Sequence, residues 1–252
     1  SLKKIFSAIN NFSEISEIRF VGGCIRKIIN KEMTDDIDLA SNLKPDEVCK
    51  ALRNNNINYY ESGIEHGTIT ALIEDKKFEI TSLRKDVATD GRHAKVEFSL
   101  DWKEDASRRD FTINAIYADK DGNIFDPFNG KKDIEEGVIN FIGECEERIK
   151  EDYLRILRYV RFYINYSKKP HDLKIIKIIR KNLGGVVSLS SERLLDEFKK
   201  LVTLDNLQKL FKDQNCLELI QLIFPHFKKI DIFKSPNQYI KKFFSKTDFI
   251  FI

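Results

Sequence analysis

The spacing of apolar residues changes once along these 252 residues, near residue 135, and that change limits what each part can fold into. Before it, short β-branched segments alternate apolar and polar residues. IRFV (18–21), GTITALI (67–73) and KFEITSL (77–83) read as strands, the last two joined by a hairpin turn at EDK. DIDLA (36–40) and VEFSL (96–100) read as further strands. Helical stretches lie among them at 2–12, 24–30 and 45–56, where Pro45 suits a first turn. RRDFTINAIYA (108–118) opens polar and becomes apolar at helical spacing, and the turn-rich segment 121–134 closes the half. Beyond residue 135 the strand signals fade. Helical periods occupy 144–166, 171–183 and 190–202 and continue toward 245. The expected class is therefore α+β: a small mixed β-sheet flanked by helices, then an all-helical part.

Composition adds little beyond this. With 42% hydrophobic and 33% charged residues the chain suits a globular fold with a real core, and a net charge of +3 selects no partner. Locally, lysines 228, 229, 234, 241, 242 and 246 interleave with Phe227, Phe233, Tyr239, Phe243 and Phe244. Such an end fits an amphipathic helix with its rings inward, or a grip on phosphates. Cys24, Cys49, Cys145 and Cys216 stand too far apart for a zinc site or a disulfide framework, which points to a reducing compartment, the cytoplasm. No apolar run reaches the roughly 18 residues of a membrane span, and no signal peptide is expected.

Asp35, Asp36 and Asp38 crowd into TDDIDLA (34–40). Side chains alternate faces along a strand, so the strand reading pairs Asp36 with Asp38 and leaves Asp35 in the turn. Two neighbouring carboxylates repel unless a cation lies between them. Mg²⁺ is commonly held by one or two carboxylates with substrate phosphates, and paired ions clamp in-line phosphoryl displacement. An exposed turn would carry the same aspartates. Upstream, GGCIR (22–26) joins a strand to a helix. Glycines let backbone N–H groups approach phosphate oxygens, and Arg26 can fork onto one; a tight turn with a solvated arginine would look alike. Glu79, between Phe78 and Ile80, offers a third carboxylate on a strand able to lie beside DIDLA.

In this order, FVGGCIR (20–26), TDDIDLA, GIEHGTI (63–69), RRDFTINAI (108–116), FDPFNGKKDI (125–134), EDYLRILRYVRF (151–162) and SERLLDEFKK (191–200) resemble the motifs of one nucleotidyltransferase family. It contains the tRNA nucleotidyltransferases (CCA-adding enzymes) of the bacterial and eukaryotic type and the related bacterial poly(A) polymerases. The resemblance covers residues 18–200. It implies a nucleotidyltransferase catalytic head at 1–135, a helical neck with a nucleotide-selecting helix at 136–195 and a short helical body, possible tRNA-binding, at 196–252. It also implies site roles. Asp36 and Asp38 would bind Mg²⁺, and Glu79 would complete the acidic set. Gly23, Arg26 and Arg109 would contact the nucleotide, with Asp110 and Asn114 shaping the sugar end. Asp152, Arg155, Arg158 and Arg161 would bind its base or phosphates. The implied reaction adds C, C and A to a tRNA 3′ end from CTP and ATP, without a nucleic-acid template. The implied partners are tRNA, CTP and ATP, with no membrane and no protein partner.

The helix read over 151–164 supplies a physical argument of its own. Tyr153, Ile156, Leu157, Val160, Tyr163 and Ile164 form one face, and Asp152, Arg155, Arg158 and Arg161 slant across the other. A solvated charged face would share this form. Ionised Asp only accepts hydrogen bonds and Arg only donates them. Cytosine and adenine both present an amino donor beside a ring-nitrogen acceptor, whereas uracil and guanine present a carbonyl beside an N–H. An Asp152–Arg155 pair thus matches CTP and ATP. A wrong base in a dry site would leave polar groups unsatisfied, at about 1–3 kcal/mol each.

Some features depart from the family. Lys27 stands where an acid is usual. Relatives usually continue into longer body and tail domains, while only residues 201–252 follow the last motif here, which implies a truncated chain or a reduced form. Residues 84–95, including His93, resemble the mobile loop for switching from C to A and favour complete CCA addition; His66 reads as structural. A poly(A) polymerase, a partial (CC- or A-only) enzyme and a non-catalytic RNA-binding relic stay open as alternatives.

Overall fold

The computed structural model describes residues 2–34, 36–89 and 94–225. They divide into two compact units, one reaching Glu135 and one starting at Glu136. The first runs through α1 (Leu2–Asn10), β1 (Ile18–Val21), α2 (Gly23–Ile29), β2 (Asp38–Ser41), α3 (Pro45–Asn54), β3 (Asn58–Gly63), β4 (Thr68–Ile73) and β5 (Lys76–Ser82). It continues with β6 (Arg84–Thr89), β7 (Ala94–Phe98), α4 (Trp102–Ser107), β8 (Tyr117–Ala118), β9 (Ile124–Phe125) and α5 (Gly130–Glu136).

Seven strands make one mixed sheet in the order β3-β4-β5-β2-β1-β8-β9, with β2 and β5 parallel and the other neighbours antiparallel. The β4–β5 hairpin closes through Glu74 and Asp75, both at positive φ (52° and 62°), a mirror-image turn that matches the strands' twist. Alternation then buries Ile69, Ala71 and Ile73 on β4, and Phe78 and Ile80 on β5. Ile5, Phe6 and Ile9 of α1 and Val48 and Leu52 of α3 join them in one core with Leu39. Each large aliphatic side chain buried there contributes roughly 1.5–3 kcal/mol. The fold is α+β, as the apolar spacing implies.

Three local readings are corrected in this unit. The strand read over 36–40 begins at Asp38. Its partner β1 stops at Val21, where Gly22 (φ 68°) turns the chain away, so Asp36 and Ile37 have no ladder to join on that side. The helix read over 108–118 is a turn, a single 3₁₀ turn at Thr112–Asn114 and the short strand β8. Phe111, Ile113, Ala115, Ile116 and Tyr117 are all fully buried, so the run lacks the polar face of a surface helix. Of residues 84–95, read as a loop, the described ones, 84–89 and 94–95, lie instead in an antiparallel ribbon of β6 with β7, registered from Arg84↔Phe98 to Thr89↔Ala94. His93 and Asp35 fall outside the described residues, as does the lysine- and aromatic-rich end.

The second unit contains α6 (Cys145–Glu151), α7 (Leu154–Tyr166), α8 (Leu173–Asn182), α9 (Ser191–Val202), α10 (Gln208–Lys212) and α11 (Gln214–Ile223). Side-chain caps start three of these helices: Asp172, Ser190 and Asp213 accept from Lys174 N, Arg193 N and Cys216 N. Ile156, Leu157, Tyr159, Val160, Phe162 and Ile164 make α7 the buried axis. The helix read over 144–166 is broken at Asp152, which is extended (φ −155°, ψ 105°). The side-chain Oδ1 of Asp152 accepts from Leu154 N at 3.1 Å, the kind of local bond that starts a helix instead of continuing one. The line expected between neck and body, at 195/196, falls inside α9. No helix among the described residues is long and apolar enough to cross a membrane.

Candidate active site

In the first unit the glycine turn is the floor of a charged cluster. A Cβ on Gly22 would lie 3.4 Å from Asn114 O and 3.5 Å from Arg109 Nη1; one on Gly23 would lie 3.8 Å from Arg26 Nη2 and 4.0 Å from Asp38 Oδ2. Arg26 is buried, and its Nη1 donates to Asn114 Oδ1. Asn114 Nδ2 donates in turn to Asp110 Oδ1 (2.8 Å), which also accepts from Phe111 N (2.9 Å). The turn at 110–114 thus exists to present Asn114 to Arg26. Gly130 lets α5 start directly beneath it, since a Cβ there would meet Thr112 O at 2.1 Å.

Arg109 is fixed from several sides. Its Nη2 and Nε donate to Asp105 Oδ2 (3.0 and 3.3 Å), and Nε also donates to the Tyr117 hydroxyl (3.0 Å). Asp105 is 1% exposed, and burial alone would raise its pKa. Arg109, Arg108 and the Tyr117 hydroxyl outweigh that burial and hold its carboxyl well below the usual range. Burial likewise opposes the Arg109 charge, and Asp105 more than restores it.

The carboxylates gather across β2 and β5. Asp38 and Glu79 are direct partners in the parallel pairing and so share a face. Asp36 lies just before β2 and is exposed, as is Glu79, while Asp38 is half-buried. Burial, then Asp36, then Glu79, push the Asp38 carboxyl above its ordinary range, and Arg109 and Arg26 offset part of this. The three carboxylates, Arg26 and Arg109 therefore form one electrostatic cluster. An all-oxygen acidic set of this kind suits a hard divalent cation. It is an open set: among the described residues, the group whose ligand atoms all lie within 4.8 Å of one another is His171, Asp213 and Cys216. That group has a structural use in the second unit. His171 bonds Asp213 (3.0 Å) and Tyr159 (3.0 Å) and stacks on Tyr163 at 3.4 Å, while Asp213 caps α11.

The second unit holds the other expected residues. Asp152 precedes α7, where Arg155, Arg158 and Arg161 follow at three-residue steps. Asp152 Oδ2 accepts from Arg193 Nη2 of α9 (2.8 Å). Arg155 Nη1 donates to Glu151 Oε2 and to Arg148 O, both at 2.7 Å, so Asp152 and Arg155 have different side-chain partners. Glu197 of α9, 2% exposed, pairs with Arg161 and reaches Arg158 at 4.0 Å.

Asp105, Tyr117, Arg193 and Glu197 were not among the residues singled out by sequence. The spacing of Asp105 to Arg108 and Arg109, three and four residues on, is a helical ion-pair signal present in WKEDASRR. No such local signal joins Arg193 to Asp152, 41 residues away.

Residues 18–140 match the family described as the Poly A polymerase head domain. The mouse protein named CCA tRNA nucleotidyltransferase 1, mitochondrial, is 41% identical over 213 residues, covering 83% of this chain and 48% of the mouse protein. A CCA-adding enzyme of Staphylococcus haemolyticus (strain JCSC1435) is 36% identical over 224 residues, 86% of this chain and 53% of its own length. Among solved structures, the CCA-adding enzyme of Bacillus stearothermophilus in complex with CTP superposes with a TM-score of 0.71 at 29% identity, over 81% of this chain and 48% of that one. The chain spans about half the length of these relatives. Residues 18–140 therefore belong to the family described as the Poly A polymerase head domain, and the relatives that share this sequence are named CCA tRNA nucleotidyltransferase and CCA-adding enzyme.

Proposed function

We propose that this chain carries the catalytic and nucleotide-selecting parts of a tRNA nucleotidyltransferase that adds C, C and A from CTP and ATP. The observation that carries the reading is the gathering of Asp38, its cross-strand partner Glu79, Arg26 and Arg109 around a two-glycine turn. In the reaction, the tRNA 3′-hydroxyl oxygen bonds to the α-phosphorus of CTP or ATP, the bond from that phosphorus to the bridging oxygen breaks, and pyrophosphate leaves. Asp36 and Asp38, with Glu79, would hold Mg²⁺. When bound, the ion neutralises phosphate charge and favours the ionised hydroxyl. Arg26 and Arg109 would receive the triphosphate over Gly22 and Gly23, where the missing Cβ atoms leave room for phosphate oxygens. Asp152 and Arg155 would read the amino and ring-nitrogen edge shared by cytosine and adenine, supported by Arg158 and Arg161.

Incubating the full chain with tRNA lacking its CCA end and each labelled nucleotide in turn tests this. CTP and then ATP should be incorporated, and UTP and GTP rejected. Long tails from ATP alone would instead establish poly(A) synthesis, the second reading, which the family's name supports. We place the activity in the cytoplasm because Cys24, Cys49, Cys145 and Cys216 are free thiols that suit a reducing compartment. The mouse relative is mitochondrial by name, so fractionation of the source cells decides between the two.

A further inference from the structure

We propose that Asp105 is a positioning residue for the nucleotide site, aiming Arg109 at the glycine turn and tying it to the base of the β6–β7 ribbon. The proposal rests on reading Arg109 as a nucleotide contact. Asp105 uses both oxygens fully. Oδ2 accepts from Arg109 Nη2 (3.0 Å) and the Tyr117 hydroxyl (2.7 Å), and Oδ1 accepts from Arg108 Nε (2.8 Å) and Arg84 N (3.3 Å). A buried ion pair is often no more stabilising than apolar residues of the same volume. A carboxylate that is 1% exposed and serves two guanidiniums therefore has an orienting role beside its part in stability.

The geometry says what is oriented. With Nε and Nη2 held by Asp105 and Tyr117, Nη1 of Arg109 turns toward Gly22, 3.5 Å from where its Cβ would be. Tyr117 lies on β8 opposite Val21, the residue that leads into this turn, so both ends of the linkage are built on the same strand pair. Arg84 opens β6. One carboxylate thus joins the start of the ribbon, helix α4 and the arginine beside the glycines.

Asp105→Asn removes the charge at constant size, and Tyr117→Phe removes one hydroxyl. Each is made alone and together with Arg109→Ala in the full chain. CTP binding is measured by equilibrium dialysis, with thermal unfolding recorded beside it. Asp105→Asn should weaken CTP binding about tenfold, and Tyr117→Phe about threefold. Asp105→Glu should recover part of the loss. In the Arg109→Ala background neither change should weaken binding further, because residues acting as one unit are not additive. Equal losses with and without Arg109, or unchanged CTP affinity in both single variants, would overturn the positioning role. Should Asp105→Asn not fold, the Tyr117→Phe cycle decides alone. If Arg109→Ala itself leaves CTP affinity unchanged, the reading of Arg109 falls, and the role of Asp105 with it.

Discussion

Asp38 is a residue whose charge the fold disfavours, since burial, Asp36 and Glu79 all push its carboxyl toward the neutral form. Sites of chemistry often keep such a conflict at a cost in stability. Asp38→Asn should therefore reduce nucleotide addition by about 10²-fold or more, the scale on which electrostatic groups of a site act. In buffer without divalent ions it should unfold at the same temperature as the parent chain or a higher one. A variant that loses stability together with activity would make Asp38 a structural residue. The adjacent pair Gly184 and Gly185 makes a second test at this scale. A Cβ on Gly185 would fall 2.0–2.3 Å from ring atoms of Tyr153, whereas one on Gly184 meets nothing within 4 Å. Gly185→Ala should cost about 1–3 kcal/mol in urea denaturation, and Gly184→Ala should be nearly neutral. Because Tyr153 adjoins Asp152, the first substitution should also blur the rejection of UTP and GTP. The sequence offers two identical letters here; only the packing of Tyr153 tells them apart.

At the scale of elements, much was legible because the β4–β5 hairpin and α3 are specified locally. Turn residues, a proline and alternation lie within one segment, and the core residues follow from them. What sequence misplaced depends on distant partners. DIDLA has a strand's alternation, yet β2 begins at Asp38, where β1 runs out, and the carboxylate paired with Asp38 on its face is Glu79 across the sheet. Residues 108–118 have helical spacing, but the burial of 110–118 on all sides and the pairing of Tyr117 with Val21 override it. The acids of SERLLDEFKK illustrate the same limit. Asp196 is exposed and Glu197 is 2% exposed against Arg161 and Arg158, a difference fixed by α7 and invisible within the motif. Removing one partner of a buried ion pair costs roughly 3–5 kcal/mol, so Glu197→Ala should unfold far more easily than the parent in urea. Asp196→Ala should stay within about 0.5 kcal/mol of it. Equal effects of the two would show that Glu197 does not anchor the arginines.

On the scale of the whole molecule, the two units draw their acid sensitivity from different groups. In the second, burial lowers the pKa of His171 even though Asp213 accepts its hydrogen bond, so the ring is kept neutral against Tyr163. An unfolded histidine titrates near about 6.5. Above that pH neither state is protonated and the contribution of His171 is constant. Below it the unfolded chain takes up a proton that the folded unit resists, and stability falls until pH passes the lower folded pKa. In the first unit the corresponding group is Asp105, whose depressed carboxyl supplies stability that is complete above the ordinary aspartate value of about 3.9 and lost only as pH falls through and below it. Between these two ranges the second unit should weaken while the first does not. The signals are separable, because the chain's one tryptophan, Trp102, belongs to α4 of the first unit, packed edge-on to Tyr117 at 5.4 Å. Among the described residues, the six helices α6–α11 of the second unit hold more helical residues than the five of the first, and so give the larger share of the far-ultraviolet circular dichroism. On heating at about pH 5, ellipticity should be lost before Trp102 fluorescence changes, and the gap should narrow at neutral pH. His171→Gln should remove the difference between the two pH values. An acid limb that survives this substitution, or a tryptophan that responds first, would mean that the loss of stability starts in the head and not around His171.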